Sequence, residues 1–171
     1  MITMRGFSLV ELVVTMAVLV TVSLLAIPSF QTSIGNAQVR TVAESLHHGL
    51  QQARMEAIKR NTRIQFSFSD NSAWQLGCVS VSTDCPAIIT QKSAAEGAGG
   101  SLSVSTASHQ TVFNALGGRD AGAVPVLSSI TLSNPTVSDN ERKTLRIVLA
   151  AGGFSRICDP AVSTAGDPRA C

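Results

Sequence analysis

The order of apolar and polar positions changes character twice along this chain. Residues 7–27 are apolar almost without a break, with Glu11 the one charged position among them. Over residues 31–60 the apolar positions Val39, Val42, Leu46, Leu50, Ala53 and Ala57 recur three or four apart, and beyond Asn61 the period falls to two. The first run holds 21 residues, about 31 Å as a helix at ~1.5 Å per residue, so it spans a bilayer if Glu11 sits at or near one end. The second run predicts an amphipathic helix continuous with the first, whose apolar stripe is the face a sheet packs on. Glu56 ahead of Lys59 and Arg60, the two cations in the last turn and Asn61 behind them predict where it stops. Pro28 removes a backbone donor at the end of the apolar run, which predicts a bend or a local melting there. Gly35-Asn36 predicts a loosened joint between the two halves.

In the period-two part, residues 63–69 and 74–78 read as strands, with a hairpin turn at Asp70-Asn71-Ser72. Residues 93–101, rich in Ser, Gly and Ala, read as a loop. Further short strands are expected at 102–105, 111–114, 130–132, 145–149 and 154–158, with Gly117-Gly118, Asn134-Pro135 and Gly152-Gly153 as breakers. The expected architecture is α+β, a long N-terminal helix followed by an antiparallel β domain.

Glu11 decides how the apolar run is read. A carboxylate costs roughly 2.5–3.5 kcal/mol at the centre of a membrane helix and less near the interface, so an acid kept there calls for a partner. An ordinary secretory signal peptide and a plain single-span anchor both leave Glu11 unexplained. The signal peptide also lacks its small-residue cleavage site, since Leu24-Leu25-Ala26 has Leu where the first small residue belongs.

Arg5-Gly6, Phe7 and Ser8-Leu9-Val10-Glu11-Leu12 resemble the class III signal of type IV prepilins and type II secretion pseudopilins. The resemblance implies cleavage by a prepilin peptidase between Gly6 and Phe7, N-methylation of the new first residue Phe7, and a role for Glu11 in subunit assembly. The physical reading agrees: the freed Phe7 amine of one subunit and the Glu11 carboxylate of its neighbour would relieve two buried charges together, a device for register more than for stability. Residues 53–61 (ARMEAIKRN), 113–117 (FNALG), Trp74 with Gly77-Cys78 and Cys85-Pro86, and the closing Asp167-Pro168-Arg169-Ala170-Cys171 are similar to the GspH/FimT family, most of all to its FimU and FimT minor pilins. That implies the type IV pilin fold, divided into a leader at 1–6, a membrane and fibre-core helix at 7–30, an amphipathic half at 31–61 and a periplasmic β-rich domain at 62–171. It also implies a structural subunit of the complex that primes and tips a type IV pilus. Its expected place is the inner membrane as a single-pass protein, then the pilus; its expected partners are other minor and major pilins, the prepilin peptidase and the inner-membrane assembly platform. A GspH-like minor pseudopilin of a type II secretion system is the alternative with the same architecture.

Some 140 residues follow the span, enough for one compact domain. The formal charge of +2 becomes +1 once Arg5 leaves with the leader, with 12 Lys and Arg against 11 Asp and Glu, so no strong field draws nucleic acid or acidic lipid. The body of the chain is sent out of the cytoplasm, where its four cysteines are expected as disulfides. Four cysteines allow three connectivities; Cys78 with Cys85 and Cys158 with Cys171 close the shortest loops, the larger contributing roughly 3 kcal/mol. No Cys-x-x-Cys occurs and no His lies close to either pair, so neither metal nor other cofactor is expected. His47 and His48, ~100° apart on a helix, do not face one metal, and His109 stands alone in a loop-like stretch. The serines lack a nucleophile elbow and there is no P-loop, so no enzyme is expected.

The competing class is binding of DNA. FimT-type pilins carry a C-terminal G-R-x-R motif for this, and the matching place here is Gly153-Phe154-Ser155-Arg156, with Phe where the first Arg belongs. Arg156 and Arg169, with Arg142 and Lys143, are the cations left to form a DNA-binding patch. The favoured reading is structural: Arg156 on the exposed face of an edge strand, Phe154 packed inward.

Overall fold

The computed structural model describes residues 8–94, 102–120, 122, 126–164 and 166–171. The expected cleavage site at Gly6 and Phe7, and most of the expected loop at 93–101, lie outside the described residues. A helix, α1 (Leu9–Arg60), of 52 residues is followed by strands β1 (Ile64–Phe68), β2 (Trp74–Cys78), β3 (Thr90–Lys92), β4 (Ser103–Thr106), β5 (Gln110–Phe113), β6 (Ser129–Ser133), β7 (Leu145–Leu149) and β8 (Ser155–Cys158).

α1 forms without interruption, so the local melting expected at Pro28 does not occur: the turns on either side carry the helix through a single missing donor. It stops where the sequence places the stop. Asn61 adopts the left-handed conformation at φ 48°, and its N–H donates to Ile58 O at 3.2 Å while Thr62 N–H reaches Ala57 O. In the last turn Glu56 pairs with Arg60 at 2.6 Å and Lys59 at 3.6 Å, which holds its carboxyl below the usual range, chiefly through the Arg60 hydrogen bond.

The strands form two antiparallel four-stranded sheets rather than one, in the orders β3-β2-β1-β5 and β4-β6-β7-β8. β4 and β5 are neighbours in sequence yet belong to different sheets. β4 takes β6 as its partner, with Ser105 opposite Thr131, while β5 pairs with β1, with Ile64 opposite Phe113. Residues 107–109 therefore cross from one sheet to the other. β3, polar and only three residues long, gives no period-two signal; it forms by backbone pairing along β2, Trp74 opposite Lys92.

The core lies between the second half of α1 and both sheets. Val39, Val42, Ala43, Leu46, Leu50, Ala53 and Ala57 present one buried helix stripe to Ile64, Phe66, Leu76 and Phe113 of the first sheet and to Ile130, Leu132, Ile147 and Leu149 of the second. Along β1 the burial alternates as the period of two requires.

Gly35 and Asn36 do the opposite of loosening the helix. The 134–143 loop between β6 and β7 docks on α1 at this point, and a Cβ at Gly35 would lie 2.5 Å from Val137 Cγ2. The missing side chain is what lets the loop approach. Asn36 then clamps it, its Nδ2 donating to Glu141 O at 2.9 Å and its Oδ1 accepting from Lys143 N at 2.9 Å. Asn134 Nδ2 adds a bond to Gln38 Oε1 at 3.1 Å, and Thr32 Oγ1 one to Glu141 Oε2 at 3.0 Å. The head is thereby fixed to the helix within about three turns of the apolar run.

Candidate functional site: an uncovered apolar helix and a clasped tail

Below this collar nothing among the described residues covers α1. Leu9 is 79 % exposed, and Val10, Met16, Leu19 and Leu24 are all more than half exposed. An 18-residue window of the helix reaches a mean hydropathy of 2.5 with none of it buried, so by length and composition it is apt to cross a membrane. Glu11 is exposed among these residues, in the first turn of the helix, where an acid also suits the positive end of the helix dipole. Leu9, Val10 and Leu12 around it are apolar, so any neighbour that covers this helix covers the carboxylate too.

In the head, two disulfides join Cys78 to Cys85 and Cys158 to Cys171. The first is buried at the end of β2, of which Cys78 is the last residue. The second ties the tail to the end of β8, with Cys158 buried and Cys171 exposed. Arg156 completes the clasp: Nη1 donates to Ala170 O at 3.1 Å and Nη2 to Cys171 O at 2.8 Å. Asp159 N–H donates to Arg169 O at 2.7 Å.

The cations considered for DNA are thus dispersed into structural duties. Arg156 lies on an edge strand and is spent on tail carbonyls, and Arg169 pairs with Asp167 at 2.7 Å. Arg142 closes its own loop on Val137 O and Asp139. Lys143 and Arg169 do line one groove of about 930 Å³ beside α1, together with Arg40, but Glu44 and Asp159 line it too. Phe154 corrects the sequence reading. It is 62 % exposed instead of packed inward, because the Arg54 guanidinium stacks on its ring at 4.0 Å and holds it on the surface.

The histidines separate as well. His47 Nδ1 meets Ser155 Oγ at 3.0 Å, with burial and then the neighbouring His48 pushing its pKa down, and His109 Nε2 meets Asp70 Oδ1 at 2.8 Å. Among the described residues no three His, Cys, Asp or Glu side chains gather where a metal ion could sit.

The Asp167–Arg169 pair in the tail has a pH signature. Arg169, through its side chain and its own backbone N–H, holds the Asp167 carboxyl at about 2. Unfolded, the same group titrates near ~3.9, so the folded value is the lower one. The contribution is then present above about pH 4 and is lost as pH falls towards about 2. NMR signals of the Arg169 and Ala170 amides should hold steady from neutral pH to about 5 and move only below ~4. A midpoint at the ordinary carboxylate value would show that the Asp167–Arg169 pair does not form.

Comparison with known proteins fits this geometry. A sequence model of the family described as type II transport protein GspH matches residues 42–153, more than half of the chain. The match begins inside α1 and ends at the β7–β8 turn, so it rests on the head and not on the apolar run. No curated protein sequence matches the chain significantly. Among solved structures, a crystal structure of the type IV minor pilin FimU of Pseudomonas aeruginosa (strain PAO1) superposes with a TM-score of 0.52 at 17 % identity, covering 75 % of this chain and 94 % of that one. A second crystal form of the same FimU gives 0.50 at 17 % identity, with 74 % and 97 % covered. At that identity the likeness is one of fold.

Proposed function

Because the chain belongs to the GspH family and has the fold of a type IV minor pilin, we propose that it is a minor pilin, a structural subunit of the complex that primes and tips a type IV pilus. The observation that carries the reading is a single continuous helix whose first half none of the described residues covers and whose second half is the core of the head. A membrane covers the first half before assembly, and the helices of neighbouring pilins cover it afterwards. The collar at Gly35 and Asn36 makes helix and head one body at the point where the helix leaves the membrane, so a pull on either is borne by both.

In this reading residues 1–6 are a leader removed by the prepilin peptidase, residues 7–30 the span and fibre core, 31–61 the amphipathic half and 62–171 the periplasmic head. Phe7 becomes the methylated first residue, the chain sits once through the inner membrane beside the assembly platform, and its neighbours are other minor and major pilins. The two disulfides suit a periplasmic and extracellular life.

The GspH match favours one second reading, a minor pseudopilin of a type II secretion system, built on the same architecture. One experiment separates them. The chain recovered from sheared surface fibres should begin, by mass spectrometry, at a methylated Phe7. The same processed chain found only in the envelope, with secretion lost on deletion of the gene, selects the secretion reading. An N-terminus at Ile27 overturns both.

A further inference from the structure

Near the C-terminal end of α1 the head carries large apolar side chains left exposed. Leu116 is 88 % exposed and Phe154 62 %, and Met55 and Ile58 of the last helical turns are exposed beside them at 67 % and 49 %. Scattered apolar residues on a surface are ordinary, whereas here Phe154 and Ile58 meet Arg54 and Gly117, whose chain neighbours are Met55 and Leu116. The Arg54 guanidinium lies 4.0 Å over the Phe154 ring and its Nε donates to Gly117 O at 3.0 Å. Gly117 in turn sits on Ile58, where a Cβ would come 2.7 Å from Cδ1.

The loops that present the patch are rigid. Asn114 Oδ1 accepts from both Leu116 N and Gly118 N at 3.0 Å. Gly117 and Gly153 adopt the left-handed region at φ 77° and 79°, and a Cβ on Gly153 would fall 1.9 Å from Gly117 O, so the two turns close on each other as only glycine allows. A partner therefore finds the patch already ordered and loses little entropy in fixing it. Phe and Met beside an Arg also match interface centres, where aromatics, Met and Arg are enriched.

Arg54 identifies the chemistry of the occupant. Among the described residues it pairs with no carboxylate, and Nε is its one hydrogen-bonding atom. A protein surface that buried this patch without an acid would strand a charge, whereas an acid there completes the pair. We propose that this distal surface docks a neighbouring protein subunit through an apolar contact centred on an Asp or Glu that pairs with Arg54. The proposal rests on the reading of the chain as a fibre subunit. Arg54 stands 30 residues beyond Leu24, about 45 Å along the helix. In a fibre drawn out of a membrane, what lies beyond that end is a subunit added before this one.

The test is site-specific photo-cross-linking of the full chain in piliated cells, with p-benzoylphenylalanine in place of Leu116 and, separately, in place of Val14 on the uncovered helix. The expected result is a Leu116 adduct with a second pilin-type chain, reduced at least tenfold in Arg54→Glu and in Phe154→Ala. Thermal unfolding establishes that both variants keep the head folded. Adducts from Val14 but none from Leu116 overturn the docking surface and leave the fibre reading standing. Silence at both positions overturns the fibre reading and the proposal together. A Leu116 adduct to lipid or nucleic acid, or one undiminished by both variants, overturns the proposal.

Discussion

Glu11→Ala should remove the chain from sheared fibres almost completely while leaving its membrane insertion and its processing at Phe7 intact. The run around Glu11 is apolar and uncovered by the described residues of the chain's own head. In the proposed fibre it packs among like helices, where the amine of a processed Phe7 and the Glu11 carboxylate offset each other. Removing the acid leaves the neighbour's amine unpaired, and breaking a buried pair from one side costs about 3–5 kcal/mol. That is a factor of roughly a hundred or more in incorporation, at about 1.4 kcal/mol per tenfold. Insertion should become easier, since the substitution deletes the one charge in the run. Glu11→Gln should behave like Glu11→Ala if charge matters and nearly like the native chain if a hydrogen bond suffices. Native recovery of Glu11→Ala in sheared fibres would count against the pairing.

The largest effect on the head itself is expected at Phe66. Its side chain is fully buried in β1, an interior strand, with ring centroids 5.8 Å from Trp74 and 6.1 Å from Phe68. Gly49 of α1 faces it, so close that a Cβ there would come 2.6 Å from Phe66 Cε2. The ring thus occupies the space that a helix side chain would otherwise fill, and nothing in α1 can move in to replace it. Phe66→Ala should cost about 3–5 kcal/mol, the upper range for core truncations. Against a total of ~5–15 kcal/mol for a domain, that is a large share. Thermal unfolding of the full chain in detergent, followed by circular dichroism, should show a fall of roughly 10 °C or more. Gln65→Ala, one residue away on the outer face, should stay within ~0.5 kcal/mol of native. Equal losses from the two would show that β1 does not face the helix through Phe66.

The two sequence-distant features with the most consequence, the collar and the Arg54 patch, arise from the same cause. The 134–143 loop reaches Gly35 and Asn36 across about a hundred residues of sequence, and Phe154 reaches Arg54 across a similar span. A glycine followed by an asparagine in a helix reads locally as weakness, because Gly raises the entropy cost of helix formation. Only the arrival of Val137 turns the missing Cβ into a fit. Phe154 reads locally as a core residue for its size, and only a cation stacked on its ring gives it a place on the surface.

The sequence by itself determined what repeats over short range. The apolar run and the stripe from Val39 to Ala57 follow a helical period that each turn imposes on the next, and the helix ends at Asn61 because a left-handed residue suits Asn. The strand positions along 64–68 follow the period of two in the same way. The tertiary structure alone decided which strands pair. Strand pairing is made by backbone groups that every residue carries, so β3 forms without a side-chain signal, and β4 leaves its sequence neighbour β5 for β6. It also decided which cations remain free: Arg156 and Arg169 go to the tail, and Arg54 is left over Phe154, because hydrogen-bond partners are set by proximity in space.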